Sequence, residues 1–140
     1  MKSEYPSAYF DVITAWHAIE HIHDLHGLWN CFGRWIKTDG LLVIAVPNSD
    51  SLDASFYGRH WAAWDAPRHL WHFNSNTMTM LGKQHGFRLL NIHTMPLDAC
   101  YISMLSDSNK VKGIANGLRL ALQETFHPQQ ASSLVFIFAI

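Results

Sequence analysis

The chain has 140 residues, of which 49% are hydrophobic and 15% are charged, and its net charge is −1. This length and composition indicate a single globular domain over residues 1–140. The ten Lys and Arg residues are scattered along the chain. The cluster of basic residues that is typical of nucleic-acid-binding proteins is therefore absent, and no nucleic-acid partner is expected. The longest apolar run, 134–140, is far shorter than the roughly 20 residues that span a bilayer. Two distant cysteines and no signal-peptide pattern favour a reducing, cytoplasmic location.

The first half of the chain has the pattern of a strand, a helix and a second strand. Residues 10–15 form a short β-branched run that predicts a buried strand. Asp24 is a suitable N-cap for the main part of the helix that follows, and 38–40 is a turn signal. The run 41–46 is apolar without alternation, as in a strand covered on both faces of a parallel sheet. This order predicts a right-handed βαβ unit.

The second half begins with a long segment, 49–72, that has little regular pattern. Long ordered loops of this kind are often functional. Asn74 or Ser75 can cap a helix that Gly86 ends. Three further stretches have regular patterns: strands over 87–95 and 133–139, and mostly helical structure over 98–125 that is weakest near 107–109.

Histidine is unusually frequent, with ten residues in the chain. His17, Glu20 and His21 stand at i, i+3 and i+4, a spacing that places all three on one face of a helix. Imidazole and carboxylate groups are good ligands for a divalent transition metal. Imidazole also titrates near neutrality, so His21, His69 or His72 can act as a general base. Alternatively, Glu20 and His21 hold neighbouring loops through hydrogen bonds.

Three short motifs stand in a particular order along the chain. The run 10–13 is followed by Glu20-His21, the run 39–48 contains a turn, a strand and a Pro-Asn exit, and 67–70 precedes Gly86-Phe87. Over roughly residues 9–140 this order resembles the C-terminal half of a class I S-adenosylmethionine-dependent methyltransferase, and it is similar to the ubiquinone-pathway and small-RNA 2′-O-methyltransferase groups. The resemblance implies an α/β fold. A partial Rossmann-like sheet would hold strands four to seven of the family, the last one antiparallel, with flanking helices.

The resemblance also implies where the cofactor lies. In open α/β sheets, ligands bind beyond the carboxyl ends of the strands. Ala15, Trp16 and His17 follow the first strand here, so by resemblance they border the methionine and sulfonium of S-adenosylmethionine. Alternatively, Trp16 is a core residue.

The acceptor side is implied in the same way. Asn48, which follows the second strand, is expected to face a small-molecule acceptor together with Trp64 and His72. A turn role for Asn48 is the alternative. Trp61, Trp64 and Trp71 either form an apolar wall for the acceptor or cap the core, and the sequence leaves both open.

A metal site is a further implication of the resemblance. The small-RNA 2′-O-methyltransferases have a Glu-x-x-Glu-His helix and a distant His that bind a divalent metal near the acceptor hydroxyl. In this chain His17 stands in place of the first Glu, Glu20 and His21 match the rest, and His69 best matches the distant His. These four residues are the candidate metal ligands, and His21 and His69 are the candidate catalytic groups. Three imidazoles and one carboxylate favour Zn, Mn or Fe over Mg.

The glycine-rich loop of the family has no counterpart, since no Gly-x-Gly occurs in these 140 residues. In the family that loop, on strands before the fourth, holds the cofactor. We therefore expect a truncated domain that binds S-adenosylmethionine poorly by itself. Such a fragment exposes the edge of its sheet, which predicts a homodimer formed by edge pairing or swapping.

Three functions are compatible with these features. The leading hypothesis is a class I methyltransferase acting on oxygen of a small, lipid- or sugar-like acceptor, inactive as this chain alone. The second is a non-catalytic interaction module whose partner completes the sheet. The third is a metal-dependent hydrolase built on the histidine-rich face.

Overall fold

The computed structural model describes residues 5–140, in which four strands form one sheet of order β1-β2-β4-β3. The first two strands pair in parallel, and the last is antiparallel to both of its neighbours. This confirms the predicted α/β fold and its antiparallel final strand. The strands are β1 (Phe10–Trp16), β2 (Ile36–Pro47), β3 (Arg88–Thr94) and β4 (Ser133–Ala139).

Five helices flank the sheet. Two of their starts were predicted from the capping residues: the Asp24 side chain accepts from the Gly27 amide at 2.9 Å, and Asn74 forms a capping box with Thr77. The helices are α1 (Leu25–Trp35), α2 (Leu52–Tyr57), α3 (Ser75–Gln84), α4 (Pro96–Ser106) and α5 (Lys110–Glu124). The segment 49–72 is more regular than expected, since it holds α2 and two 3-10 turns, 58–60 and 62–64.

The main core lies where α1 and α3 cover β2 and β4. Trp29 of α1 is fully buried and contacts the ring of Phe138 at a centroid distance of 5.6 Å. One face of the apolar run of β2 is covered as predicted, with Leu42 and Ile44 both at 0% exposure, whereas Leu41 and Val43 on the other face are half-buried. A smaller core beneath α4 contains Trp61 and Ile102. Trp61 therefore packs in the interior, as expected if it caps the core.

Two predictions about the first strands are wrong. No residue of β1 is buried, because β1 pairs only with β2 among the described residues and its other edge is open. The turn expected at 38–40 lies inside β2. The register shows why the sequence has turn residues there: Phe10 pairs with Ile36 but Val12 pairs with Leu41, so β2 carries extra residues as a bulge.

Helices α4 and α5 form a hairpin between β3 and β4, and two glycines let them approach closely. A Cβ at Gly117 would lie 2.5 Å from the Cα of Cys100, and one at Gly113 would lie 2.6 Å from the carbonyl oxygen of Ser103. These glycines weaken the helical pattern of the sequence, but they are required by the contact between the helices. Across the part of the chain that the structure describes, no helix is long and apolar enough to cross a membrane.

The close approach predicts opposite effects for two Gly→Ala substitutions. Gly117→Ala should lower the free energy of unfolding by about 1–3 kcal/mol, because its methyl group meets backbone rather than a movable side chain. Gly33→Ala in α1 is the matched control, since its Cβ would have no contact closer than 3.8 Å, and it should stabilise by up to about 1 kcal/mol. Urea denaturation of both variants measures the difference, and equal effects would contradict the packing described.

Candidate active site

A pocket of about 660 Å³ opens beyond the carboxyl ends of β1 and β2. Its polar wall comes from the residues after β1 and from the loop before α3, and its apolar wall comes from α4. Lining residues that matter for the chemistry are Glu20, His21, His69, His17, Asp98 and Tyr101.

Backbone hydrogen bonds explain why His69 lies beside His21. The amides of Leu70 and Trp71 both donate to the carbonyl of Glu20, at 2.8 and 3.3 Å. The indole of Trp71 donates to the carbonyl of Ile22 at 2.8 Å. The loop is thereby held along the short 3-10 turn 19–21, and the His21 and His69 rings lie 4.7 Å apart between centroids.

Glu20, His21 and His69 form a compact cluster, and their nearest ligand atoms all lie within 4.8 Å of one another. Glu20 is 1% exposed, and neither of its carboxylate oxygens has a hydrogen-bond partner. Nδ1 of His21 lies 3.0 Å from the carbonyl of Arg68, and Nδ1 of His69 lies 2.8 Å from the carbonyl of Ala63. Because a carbonyl only accepts, each Nδ1 carries a hydrogen, and a neutral ring then has its lone pair on Nε2.

His17 takes a different position from the one that its spacing predicts. Its φ of 45° is left-handed, so the chain turns sharply after β1 and the three residues do not share one α-helical face. The prediction of a common helical face is wrong, because only 19–21 is helical before α1 begins. His17 lies outside the cluster of Glu20, His21 and His69.

The contacts of His17 are with carboxylates. Its Nε2 lies 3.2 Å from Oδ2 of Asp98, and its Nδ1 lies 3.6 Å from Oε1 of Glu20. The hydrogen bond to Asp98, and then the interaction with Glu20, raise the pKa of His17 to about 9. The ring is therefore protonated at neutral pH and is the cation beside the buried Glu20.

The other predicted cofactor residues end β1. Ala15 is half-buried, and Trp16 is 52% exposed, so Trp16 is not a core residue. Whether Ala15, Trp16 and His17 border a cofactor stays a prediction.

The predicted acceptor residues are engaged in hydrogen bonds to backbone carbonyls, and none of them lines the pocket. Asn48 is buried, and its amide donates to the carbonyls of Gln129 and Ala131 at 3.0 and 2.9 Å. The indole of Trp64 donates to Gly58, and Nε2 of His72 lies 2.9 Å from the Trp64 carbonyl. Their role in acceptor binding stays a prediction.

Four pocket residues of α4 were not found from the sequence: Asp98, Tyr101, Ile102 and Leu105. The helical pattern there gave no signal that α4 returns over the strand ends. Arg68 pairs with Asp65 at 2.6 Å, and both also line the pocket.

A family model described as "Methyltransferase domain" matches residues 1–92. Solved structures share the fold at low sequence identity. A SAM-dependent methyltransferase of Thermotoga maritima, described as a possible histamine N-methyltransferase, has 11% identity and a TM-score of 0.66, with 98% of this chain and 59% of that chain covered. A SAM-dependent methyltransferase of Archaeoglobus fulgidus has 20% identity and a TM-score of 0.58, with 96% and 61% covered.

Phosphoethanolamine N-methyltransferase 2 of Haemonchus contortus, solved with S-adenosyl-L-methionine, is a further structural relative. It has 18% identity and a TM-score of 0.56, with 97% of this chain and 34% of that chain covered. The chain thus spans about three fifths, or less, of the length of these three structures. No curated protein matches the sequence.

The His17–Asp98 contact predicts a measurable titration. The His17 ring should titrate near pH 9 in an NMR experiment, and Asp98→Asn should move its pKa down toward 6.5, because the main cause of the rise is removed. Since the folded-state pKa is raised, the contribution of His17 to stability is full below pH 6.5 and is lost as the pH rises through 9. In Asp98→Asn, this contribution to stability should be smaller, so stability should fall less between pH 6.5 and 9.

His85 serves as the internal reference for this experiment. Burial, and then His26, hold the pKa of His85 below its ordinary value, and it has no contact with Asp98. Its titration should be the same in both proteins. A His17 resonance that titrates near pH 6.5 in the wild type would contradict the ion pair.

Proposed function

The chain belongs to the methyltransferase domain family, and we propose that it is the acceptor-side half of an S-adenosylmethionine-dependent methyltransferase that acts in the cytoplasm. The acceptor is a hydroxyl of a small, lipid- or sugar-like molecule. One observation carries the proposal: Glu20, His21 and His69 meet within 4.8 Å at a pocket beyond the carboxyl ends of β1 and β2. In open α/β sheets this edge is where ligands bind.

The two histidines are suited to remove a proton from an acceptor hydroxyl. When bound, S-adenosylmethionine supplies a methyl group on a sulfonium that is already activated. The protein then needs to position the acceptor oxygen and take its proton. His21 and His69 are each fixed by a backbone carbonyl at Nδ1, so Nε2 of either ring can accept that proton.

The same three residues fit a divalent metal ion. Two imidazoles and one carboxylate form a ligand set typical of Zn, Mn or Fe sites. The fit rests on the buried Glu20, whose two oxygens have no hydrogen-bond partner, and on the two Nε2 lone pairs. A bound metal would act as a Lewis acid that lowers the pKa of an acceptor hydroxyl. His17 is less suited as a fourth ligand, because its protonated ring has no lone pair to offer.

The donor side of the proposal rests on the absence of Gly-x-Gly from the sequence. Backbone can approach a nucleotide-type cofactor closely where glycine replaces larger residues. We propose that the strands which carry such a loop lie outside these 140 residues and pair with the open edge of β1. Ala15, Trp16 and His17 would then border the cofactor. The open edge equally allows a homodimer or an interaction module completed by a partner.

Cofactor titration tests the proposed division of labour. We expect calorimetry to find no saturable binding of S-adenosylmethionine by the 140-residue chain, and to find binding by a chain extended with the residues encoded upstream. Saturable binding by the 140-residue chain would contradict the proposal that the donor-binding strands lie outside it. Absence of binding in both forms would favour the non-catalytic module over the enzyme.

Metal analysis tests the cluster separately. Protein prepared without chelator should hold about one equivalent of Zn, Mn or Fe, and His21→Ala and His69→Ala should each lower that content by about 10-fold or more. His93→Ala, an exposed histidine on β3, is the matched control and should retain the metal. Equal metal content in all four proteins would remove the metal hypothesis.

A further inference from the structure

The hairpin α4–α5 exposes large apolar side chains that its own packing does not use. Leu97 is 83% exposed, Val111 is 79% exposed and Leu122 is 70% exposed. Isolated exposed apolar residues are ordinary, whereas a contiguous apolar stripe marks an interaction surface. We name this group the outer face: Leu97, Tyr101, Leu105, Val111, Ile114, Leu118, Leu122 and Phe126.

The pattern on α5 indicates an outward apolar stripe. Its buried positions, which face the rest of the protein, are Gly113, Gly117, Leu120 and Glu124. The exposed positions Val111, Ile114, Leu118 and Leu122 follow one another at i+3 or i+4. By helical geometry this second stripe lies on the side opposite the buried one. The helix is thus apolar on the face that points to solvent, where folding of this domain does not require it.

The charges on α5 indicate what the outer face binds. Lys110, Lys112 and Arg119 are exposed, whereas the single acidic residue of the helix, Glu124, is 2% exposed. Burial raises the pKa of Glu124 to about 7. The exposed charge of α5 is therefore wholly positive in a chain whose net charge is −1. An apolar stripe flanked by Lys and Arg is the pattern of a helix that lies in the interface of an anionic membrane.

A second copy of the chain fits this surface less well. In a symmetric pair, each copy would present the same face, so both copies would bring only cations to the rim of that interface. Like charges at an interface oppose association. The exposed stripe of α5 is also not at the open edge of β1, since α5 packs mainly on α4 and to a smaller extent on α2.

We propose that the outer face docks on the surface of a bilayer that contains anionic lipid. The apolar side chains enter the boundary between headgroups and acyl chains, and Lys110, Lys112 and Arg119 contact the headgroup phosphates. Tyr101 and Leu105 of α4 are exposed and also line the site pocket.

Vesicle co-sedimentation of the 140-residue chain tests the docking. The chain should bind vesicles in which about a third of the lipid is phosphatidylglycerol, and bind pure phosphatidylcholine far more weakly, because each basic residue near an anionic surface contributes a factor of about five. Lys110→Glu/Lys112→Glu should weaken binding by about 25-fold or more. Leu118→Gln/Leu122→Gln should weaken it by about 10-fold or more, since both side chains lose apolar burial.

Two more variants locate the surface. Leu97→Gln tests whether α4 contacts the lipid as well and should also weaken binding. Met80→Gln, on α3 and 57% exposed, is the matched control and should bind as the wild type does. All substituted side chains are exposed, and circular dichroism verifies the fold of each variant.

Several outcomes would overturn the proposal. These are no binding of the folded chain to anionic vesicles, equal binding to both vesicle types, or binding unchanged by the Leu118/Leu122 substitutions. A dimer in solution that the same substitutions dissociate would assign the outer face to a second copy instead. The assay uses no cofactor, so its failure leaves the proposed methyltransferase function standing, and a failed cofactor titration leaves the docking standing.

Discussion

The hydrogen bonds from Leu70 and Trp71 to the carbonyl of Glu20 connect two parts of the chain that the sheet alone would leave apart. Glu20 follows β1, whereas His69 lies in the loop that leads to α3. This backbone contact holds the loop in the position where His69 faces His21. In the same loop, the carbonyl of Arg68 lies 3.0 Å from Nδ1 of His21, so the His21 ring is held in one orientation. The geometry of the site and the position of the loop therefore depend on the same hydrogen bonds.

Charge balance gives the pocket its chemical character. Glu20 and Asp98 share one cation, His17, while Asp65 is paired with Arg68. The pocket thus has three carboxylates, those of Glu20, Asp98 and Asp65, and two cationic partners, His17 and Arg68. A buried carboxylate is costly unless a positive group accompanies it. Both groups proposed to bind here, a divalent metal and a sulfonium, carry the positive charge that this arrangement lacks.

Local signals predicted the elements well because they depend on few neighbours. The final strand has the bounds expected from its apolar run, and Asp24 and Asn74 cap the helices they were expected to cap. Burial of β1 was predicted wrongly, since β-branched composition indicates a strand without telling whether both of its edges are paired. The bulge in β2 has the residues of a turn, and only the pairing with β1 distinguishes the two.

Within the candidate site, the sequence predicted the identity of the residues better than their contacts. The resemblance brought Glu20, His21 and His69 together, and the structure places them in one cluster. The helical spacing of His17 suggested the same cluster, but a left-handed φ turns this residue toward Asp98. Asp98 is distant in sequence and stands in a helix whose direction depends on the α4–α5 contact. Such a pair has no signature in a single sequence.

Helix α4 links the chemistry to the surroundings of the protein. Through Asp98 it sets the charge of His17, and through Tyr101 and Ile102 it forms the apolar wall of the pocket. Under the proposed function, the donor's strands would pair with the open edge of β1, whereas the α4–α5 hairpin would form the surroundings of the acceptor pocket.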